Sequence, residues 1–122
     1  MKLTENQSEF ILGCKFCILA TSVNNKPRAC VVIPEMACHD KVVIADCQMN
    51  STRQNILANS TVFVSFYDSD LNRCIKCDGV AQYITCGNDF QTINDKLAKE
   101  NLKVGGIIEI KISSIHEQYE NG

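Results

Sequence analysis

Strand-like runs separated by short polar turns fill the first half of the sequence and limit the folds that this chain can adopt. Residues 15–23 alternate in the manner of a strand that is covered on both faces, and residues 24–27 form a turn. A second strand follows at residues 28–35, with Pro34 near its end, where a missing N–H does the least harm. His39 and Asp40 then turn the chain into a third strand. Because these two consecutive hairpins contain no crossover helix, we expect an antiparallel sheet and not a parallel one.

The remaining sequence completes a pattern of six strands and three helices. Thr4 with Gln7 and Asn88 with Gln91 have the spacing of capping boxes at the starts of the first and last helices. Gly79 lies inside a long strand and indicates a bulge or a sharp bend. Strands are expected at residues 15–23, 28–35, 41–45, 61–67, 73–85 and 104–115, and helices at residues 4–14, from residue 51, and at 88–100. The sequence therefore predicts a single mainly β domain over residues 1–122, a closed or nearly closed six-stranded antiparallel barrel with helices.

The charge and hydropathy of the chain exclude two classes of partner. The formal net charge is -2, and acidic and basic residues are interspersed without the basic stripe of a nucleic-acid-binding protein. No apolar run approaches the length of a membrane span, and the first residues, including Lys2 and Glu5, are polar instead of forming a signal-peptide core. We therefore expect a cytoplasmic protein that contacts neither nucleic acid nor membrane.

The chain contains eight cysteines, many for its length. In a reducing compartment we expect most of them to be small apolar packing residues. Cys14 with Cys17 and Cys74 with Cys77 form two Cys-x-x-Cys pairs, which leave a cysteine-based metal site as an alternative. Residues three apart on a strand point to opposite faces, which argues against convergence of Cys74 and Cys77 on one metal. Neither of the two histidines lies in a recognisable catalytic motif.

A polar elbow follows the third strand and holds the residues best suited to bind an anion. Ser51, Thr52 and Arg53 lie at a predicted helix start directly after a buried strand. Hydroxyl groups, free backbone amides and the helix dipole all favour a phosphate at such a position. Ser51 and Gln54 also have capping-box spacing, so a cap that meets no ligand is the alternative.

Four segments in this order resemble the FMN-binding split-barrel family, which includes pyridoxamine 5'-phosphate oxidase-like proteins and small FMN-binding proteins. The segments are CILATSVNNKPRACVVIP, KVVIADCQMNSTRQNILANSTVFVSF, KCDGVAQYI and GGIIEIKISSI, which together span nearly the whole chain. The resemblance implies a six-stranded antiparallel split barrel of the FMN-binding type.

The resemblance also implies where FMN binds. The second strand would lie beside the isoalloxazine ring, and the elbow would hold the phosphate. The residues implied are Arg28, Val31, Val32, Ile33, Pro34 and Ala45 near the ring, and Asn50, Ser51, Thr52, Arg53 and Asn55 at the phosphate. The lysine usual in this elbow is missing, so the phosphate charge must be met by Arg53 or Arg28.

Family members are homodimers with the flavin at the interface, and the resemblance implies the same here, with Tyr119 near the partner's flavin. The implied function is that of an FMN-dependent oxidoreductase that passes electrons or hydride through FMN to a small-molecule or protein redox partner. No residue stands out as a catalytic acid or base. Pyridoxamine 5'-phosphate oxidases carry arginines near the C-terminus, and the last arginine here is Arg73. The alternatives are a non-catalytic FMN electron carrier, a cysteine-based metal protein, and a split barrel without flavin.

Overall fold

The computed structural model describes residues 1–47 and 50–119 of the chain. These residues form three helices and seven strands. The helices are α1 (Glu5–Gly13), α2 (Asn50–Ala58) and α3 (Asn88–Ala98), and the strands are β1 (Cys17–Val23), β2 (Lys26–Val32), β3 (Pro34–Cys38), β4 (Lys41–Asp46), β5 (Thr61–Asp68), β6 (Arg73–Ile84) and β7 (Gly106–Tyr119).

All seven strands belong to one antiparallel sheet with the order β2-β1-β5-β6-β7-β4-β3. The predicted mainly β antiparallel fold is confirmed, but the predicted count of six strands is wrong. The expected strand over residues 28–35 is two strands, which end and begin on either side of Ile33. Pro34 has no N–H to continue the β2 ladder. The register of β3 against β4 is also irregular between Pro34 and Met36.

The break at Ile33 determines the shape of the sheet. Strands β2 and β3 are neighbours in sequence but lie at opposite edges of the sheet. Because consecutive Cα atoms are about 3.8 Å apart, Val32 and Pro34 are within about 7.6 Å of each other. The two edges must therefore approach, and the sheet curls almost into a cylinder. In the described residues no ladder joins β2 to β3, so the barrel is split, not closed.

Several local signals have the outcome that the sequence predicts. Thr4 caps α1 in a complete capping box with Gln7. The turn predicted over residues 24–27 is in the right place but shorter: Asn24 and Asn25, with φ values of 53° and 63°, alone separate β1 from β2, which begins at Lys26. These are the left-handed values that a tight type I′ hairpin requires. The register of β6 against β7 shifts beside Gly79, which confirms the predicted bulge.

Two predicted helix caps are wrong. Helix α3 begins at Asn88, so its capping residue is Gly87, which provides no side-chain hydrogen bond. Helix α2 begins at Asn50, which places Ser51 inside the first turn instead of at the cap. The residue before Asn50 lies outside the described ranges.

Two apolar clusters hold the elements together. The larger one fills the curled sheet and includes Ile11, Leu19, Val64 and Phe66, all fully buried. The smaller one lies between the sheet and α3 and includes Val43, Ala45, Ile93, Leu97, Val104 and Ile107. Strand β4 contributes to both clusters, so it is buried on both faces, as its uninterrupted apolar run indicates.

None of the helices in the described ranges has the length and apolar character needed to cross a bilayer. The cytoplasmic location stays a prediction. Strand β7 continues to Tyr119, four residues beyond the predicted end at Ile115, and pairs there with Arg73.

We expect Gly79→Ala to destabilise the fold, because a Cβ at this position would lie 2.6 Å from Ile110 Cγ2 and 2.7 Å from the Lys111 carbonyl oxygen. The backbone atom cannot move aside without disturbing β7, so the free energy of unfolding should fall by about 1–3 kcal/mol. Urea denaturation measures this. Gly13→Ala is the control: nothing lies within 4 Å of its added Cβ, so its midpoint should be unchanged or higher. Equal midpoints for the two variants would contradict the bulge contact.

Candidate functional site

A pocket of about 250 Å³ lies between the first turns of α2 and the β1–β2 hairpin. We call it the α2 pocket. In the hairpin register Thr21 is opposite Arg28 and Leu19 is opposite Cys30, so these four side chains share one face of the sheet. The pocket is lined by Leu19, Thr21, Arg28, Ala29, Cys30, Ser51, Thr52 and Asn55. The structure thus brings together Arg28, from the second predicted strand, and three residues of the predicted elbow.

Side-chain contacts fix α2 above this face. Asn55 donates from Nδ2 to Thr21 Oγ1 at 3.1 Å. Thr52 Oγ1 lies 3.5 Å from Cys30 Sγ, within hydrogen-bonding distance for sulfur. One turn further along, Asn59 donates from Nδ2 to the carbonyl oxygen of Ser22 at 2.9 Å. These contacts hold α2 over the pocket.

The lining of the α2 pocket suits a phosphate group. It presents the Ser51 and Thr52 hydroxyls, the Asn55 amide and the Arg28 guanidinium, and none of the described residues that line it is acidic. The N–H groups in the first turn of a helix have no intrahelical partner, and the helix dipole adds positive potential there. This combination of donors and positive charge fits an anion with several acceptor oxygens.

The two candidate arginines have different surroundings. Arg28 lines the α2 pocket and donates from Nη1 to the carbonyl oxygen of Pro27 at 2.9 Å. Arg53 is not among the lining residues, and its guanidinium carbon lies 4.9 Å from the centroid of the Tyr83 ring. Asn50 is exposed and also lies outside the pocket lining. Of the two arginines, Arg28 is therefore the one that lines the α2 pocket.

Tyr83 belongs to a half-buried cluster that the sequence analysis missed. Its hydroxyl donates to Asp46 Oδ2 at 2.5 Å. Burial, and then the hydrogen bond to Asp46 and its charge, raise the pKa of Tyr83 to about 12, while the charge of Arg53 opposes this rise. A Cβ on Gly106 would lie 2.5 Å from the Tyr83 ring, so a residue larger than glycine at position 106 would clash with this ring. The pair Gly105 and Gly106 at the start of β7 was the sequence signal for this close approach.

The residues predicted to lie beside a flavin ring line a second cavity at the other end of β2. We call it the β3–α3 groove: it has a volume of about 520 Å³ and is bounded by the chain around Ile33, the end of β4 and the C-terminal end of α3. Its lining includes five of the six residues predicted near the ring, Val31, Val32, Ile33, Pro34 and Ala45, whereas the sixth, Arg28, lines the α2 pocket. Val31 and Ile33 are exposed, whereas Val32, Pro34 and Ala45 are buried and offer mainly backbone.

The α2 pocket and the β3–α3 groove are connected by one strand. Arg28 and Val32 are four residues apart on β2, which corresponds to about 13 Å along a strand. Strand β2 is an edge strand whose ladder partner is β1. Every second residue of an edge strand directs its N–H and C=O away from the sheet. The cavities are thus linked by a row of backbone donors and acceptors.

The cysteines do not assemble a metal site within the described ranges, where no three His, Cys, Asp or Glu side chains are grouped to hold a metal ion. Cys77 is buried and Cys74 is half-buried, as expected for positions on opposite faces of β6. Burial raises the pKa of Cys17 to about 12, and burial and then the charge of Asp78 raise the pKa of Cys77 to about 11. Both thiols behave as apolar packing residues.

Comparison with known proteins establishes the fold. No protein-family sequence model matches the chain, and no curated protein is significantly similar in sequence. Solved structures do match: the chain is an antiparallel split barrel of the kind found in FMN-binding and pyridoxamine 5'-phosphate oxidase-like proteins. The predicted resemblance is therefore confirmed at the level of the fold.

Three of these structures illustrate the likeness. HupZ of Group A Streptococcus matches with a TM-score of 0.86 and 15% sequence identity, over 97% of this chain and 95% of HupZ. A pyridoxamine 5'-phosphate oxidase-like protein from Listeria innocua matches with a TM-score of 0.77 and 15% identity, over 89% and 92% of the two chains. An FMN-binding protein from Syntrophomonas wolfei matches with a TM-score of 0.76 and 16% identity, over 90% and 82%.

The thiol environments predict selective alkylation of the native protein. Because the thiolate is the reactive form, buried thiols with a raised pKa should react slowly near neutral pH. A short pulse of N-ethylmaleimide followed by peptide mass spectrometry should label the exposed Cys38 and Cys86 and leave Cys17 and Cys77 unmodified. Unfolding in urea should make all four react equally. Early labelling of Cys17 or Cys77 in the native protein would contradict their burial.

Proposed function

We propose that the protein binds FMN, with its phosphate in the α2 pocket and its ring along β2 toward the β3–α3 groove. The observation that carries this proposal is the convergence of Arg28, Ser51, Thr52 and Asn55 at the first turns of α2. These residues come from two separate segments of the chain, so a helix cap alone does not account for their arrangement. The fold shared with FMN-binding proteins supports the same ligand.

The remaining predicted residues fit this placement in different ways. Free backbone groups of β2 can hydrogen-bond the polar edge of a flavin ring, and the apolar side chains of Val31 and Ile33 can cover its faces. Asn50 and Arg53 lie outside the lining of the α2 pocket, so we assign the phosphate charge to Arg28.

We further propose that the protein is an oxidoreductase. Bound FMN would supply the redox chemistry, accepting and releasing electrons or hydride at its N5 atom. The chain's own residues hold the phosphate, orient the ring along β2 and shield one side of it from water. The β3–α3 groove extends beyond the residues assigned to the ring, as far as Leu97 and Leu102. We assign that part of the groove to a substrate, and for this reason propose an enzyme and not a plain electron carrier.

A homodimer is the assembly that the surface supports. On the outer face of the sheet, Ile18 of β1 and Val31 of β2 are directly opposite each other, and both are exposed. Phe16, Ile33 and Tyr67 add further exposed apolar side chains nearby. An apolar patch of this kind is typical of a protein interface. A second copy of the chain on this face would cover Val31 and enclose the ring side of the site. The side chain of Tyr119, predicted to approach the partner's flavin, lies outside the part of the chain that the structure describes.

The two arginines provide a matched test of the phosphate site. We expect Arg28→Met to raise the Kd for FMN by about ten- to a hundredfold, because it removes a charge-assisted hydrogen bond from the α2 pocket. Arg53→Met should change the Kd much less, since Arg53 stacks on Tyr83 instead. Quenching of flavin fluorescence measures both.

Riboflavin, which lacks the phosphate, is the ligand control. Its affinity should be the same for wild-type protein and for Arg28→Met. A larger loss of FMN affinity in Arg53→Met than in Arg28→Met would reverse the assignment of the arginines. Failure of the wild-type protein to bind added FMN would refute the proposed function.

The dimer proposal predicts that Ile18→Glu yields a monomer. Ile18 is 47% exposed in the single chain, so the fold should tolerate the charge, but an interface would bury it without a partner. Light scattering after size-exclusion chromatography measures the mass. Leu57→Glu is the control, because Leu57 is 66% exposed and lies on α2, away from this sheet face. The proposal does not survive if Ile18→Glu remains dimeric at low micromolar concentration.

A further inference from the structure

The β3–α3 groove contains four charged side chains that the proposed FMN site does not use. They are Lys15, Glu35, Lys96 and Glu100, which surround an otherwise mainly apolar lining. Glu35 follows Pro34 on β3, and both residues line this groove together with Ile33 from the segment assigned to the ring. Lys96 projects from the last turn of α3.

The charges of this groove differ sharply in burial. The side chain of Glu35 is only 7% exposed, whereas that of Lys96 is 61% exposed. Lys96 Nζ donates to Glu35 Oε1 at 3.1 Å. Lys15 and Glu100 are both exposed. The carboxylate of Glu35 is therefore held in place by the protein around it. The ammonium group of Lys96 is on a more exposed side chain and can move into water.

The difference in burial between Glu35 and Lys96 affects which ligands the groove would favour. A ligand with a carboxylate would compete for Lys96 and leave the buried Glu35 without that partner, which is unfavourable because a nearly buried charge needs a counter-charge. A ligand with a hydrogen-bond-donating or cationic group would instead add a second partner to Glu35. The apolar lining suits the flat body of an aromatic ring.

We propose that the β3–α3 groove is a binding site for a small aromatic molecule that carries a hydrogen-bond donor or a positive charge, and that Glu35 selects against carboxylates. Its role as the substrate site of a flavoenzyme rests on the proposed function, because the ring is assigned to the Val31–Pro34 side of the groove. The binding itself depends only on the groove and can be measured without flavin.

NMR titration of the isotope-labelled, flavin-free protein tests this proposal. The probes are benzylamine, benzyl alcohol and benzoate, which share one ring and differ in charge. We expect benzylamine and benzyl alcohol to shift the amide signals of Ile33, Glu35 and Leu97, with benzylamine binding at least about tenfold more tightly than benzoate. Equal affinity for benzylamine and benzoate, or shifts confined to other parts of the molecule, would overturn the proposal.

Two substitutions should move this selectivity in opposite directions. Glu35→Gln should remove the preference for benzylamine and strengthen benzoate binding, because Lys96 is released. Lys96→Met should weaken benzoate and strengthen benzylamine, because Glu35 loses its partner. Glu100→Gln is the control, since this exposed carboxylate on the same rim should leave the preference unchanged. If Glu35 only fastened α3 to β3, Glu35→Gln would lower stability and leave the ratio of the affinities unchanged, which would also overturn the proposal.

A separate FMN titration of the same samples distinguishes the two proposals. FMN should shift the signals of Thr52 and Asn55 at the α2 pocket. Loss of these shifts with retained selectivity for benzylamine refutes the FMN site alone. Retained FMN shifts with no selectivity in the groove refute the role of Glu35 alone.

Discussion

The single residue between β2 and β3 is the constraint on which the rest of this structure depends. Ile33 connects the two opposite edges of a seven-stranded sheet, so the sheet has to curl until those edges nearly meet. Curling creates an interior for the larger apolar cluster and leaves the outer face of β4 to be covered by α3. It also leaves β2 with free backbone groups, because the two edges approach without forming a ladder. The candidate site therefore lies at the split in the barrel, between edges that no ladder joins in the described residues.

Strand β2 organises both cavities. One of its ends carries Arg28 to the start of α2, where the Asn55–Thr21 contact holds the helix over the sheet. Its other end carries Val31 and Val32 to the β3–α3 groove. Along β2 a positively charged pocket is followed by a free backbone edge and then by an apolar groove. A ligand with an anionic end, a short linker and a flat ring would match these three surfaces in that order. The proposed FMN site and the proposed selectivity of Glu35 both follow from this one strand.

Much of the local structure could be predicted because it depends on neighbours in sequence. The capping box at Thr4, the turn that contains Asn24 and Asn25 and the bulge at Gly79 each have a signature of a few residues. The break at Ile33 was missed because residues 28–35 are extended throughout, and a proline inside an extended run fits an edge strand equally well. Which edge each half joins depends on pairing with β1 and β4, and that pairing is not a local property.

The sequence alone determined the mainly β antiparallel class, the three helices and the presence of phosphate-binding residue types in the elbow. Only the tertiary structure decided which arginine accompanies them. Arg28 and Arg53 are equivalent as sequence signals, but the packing of α2 on β1 turns Arg53 toward Tyr83 while the hairpin register puts Arg28 in the pocket. The tertiary structure likewise brought Glu35 and Lys96 together across 61 positions of sequence. Both outcomes depend on how a helix sits on a sheet, and that geometry arises from packing distant segments, which no short sequence pattern encodes.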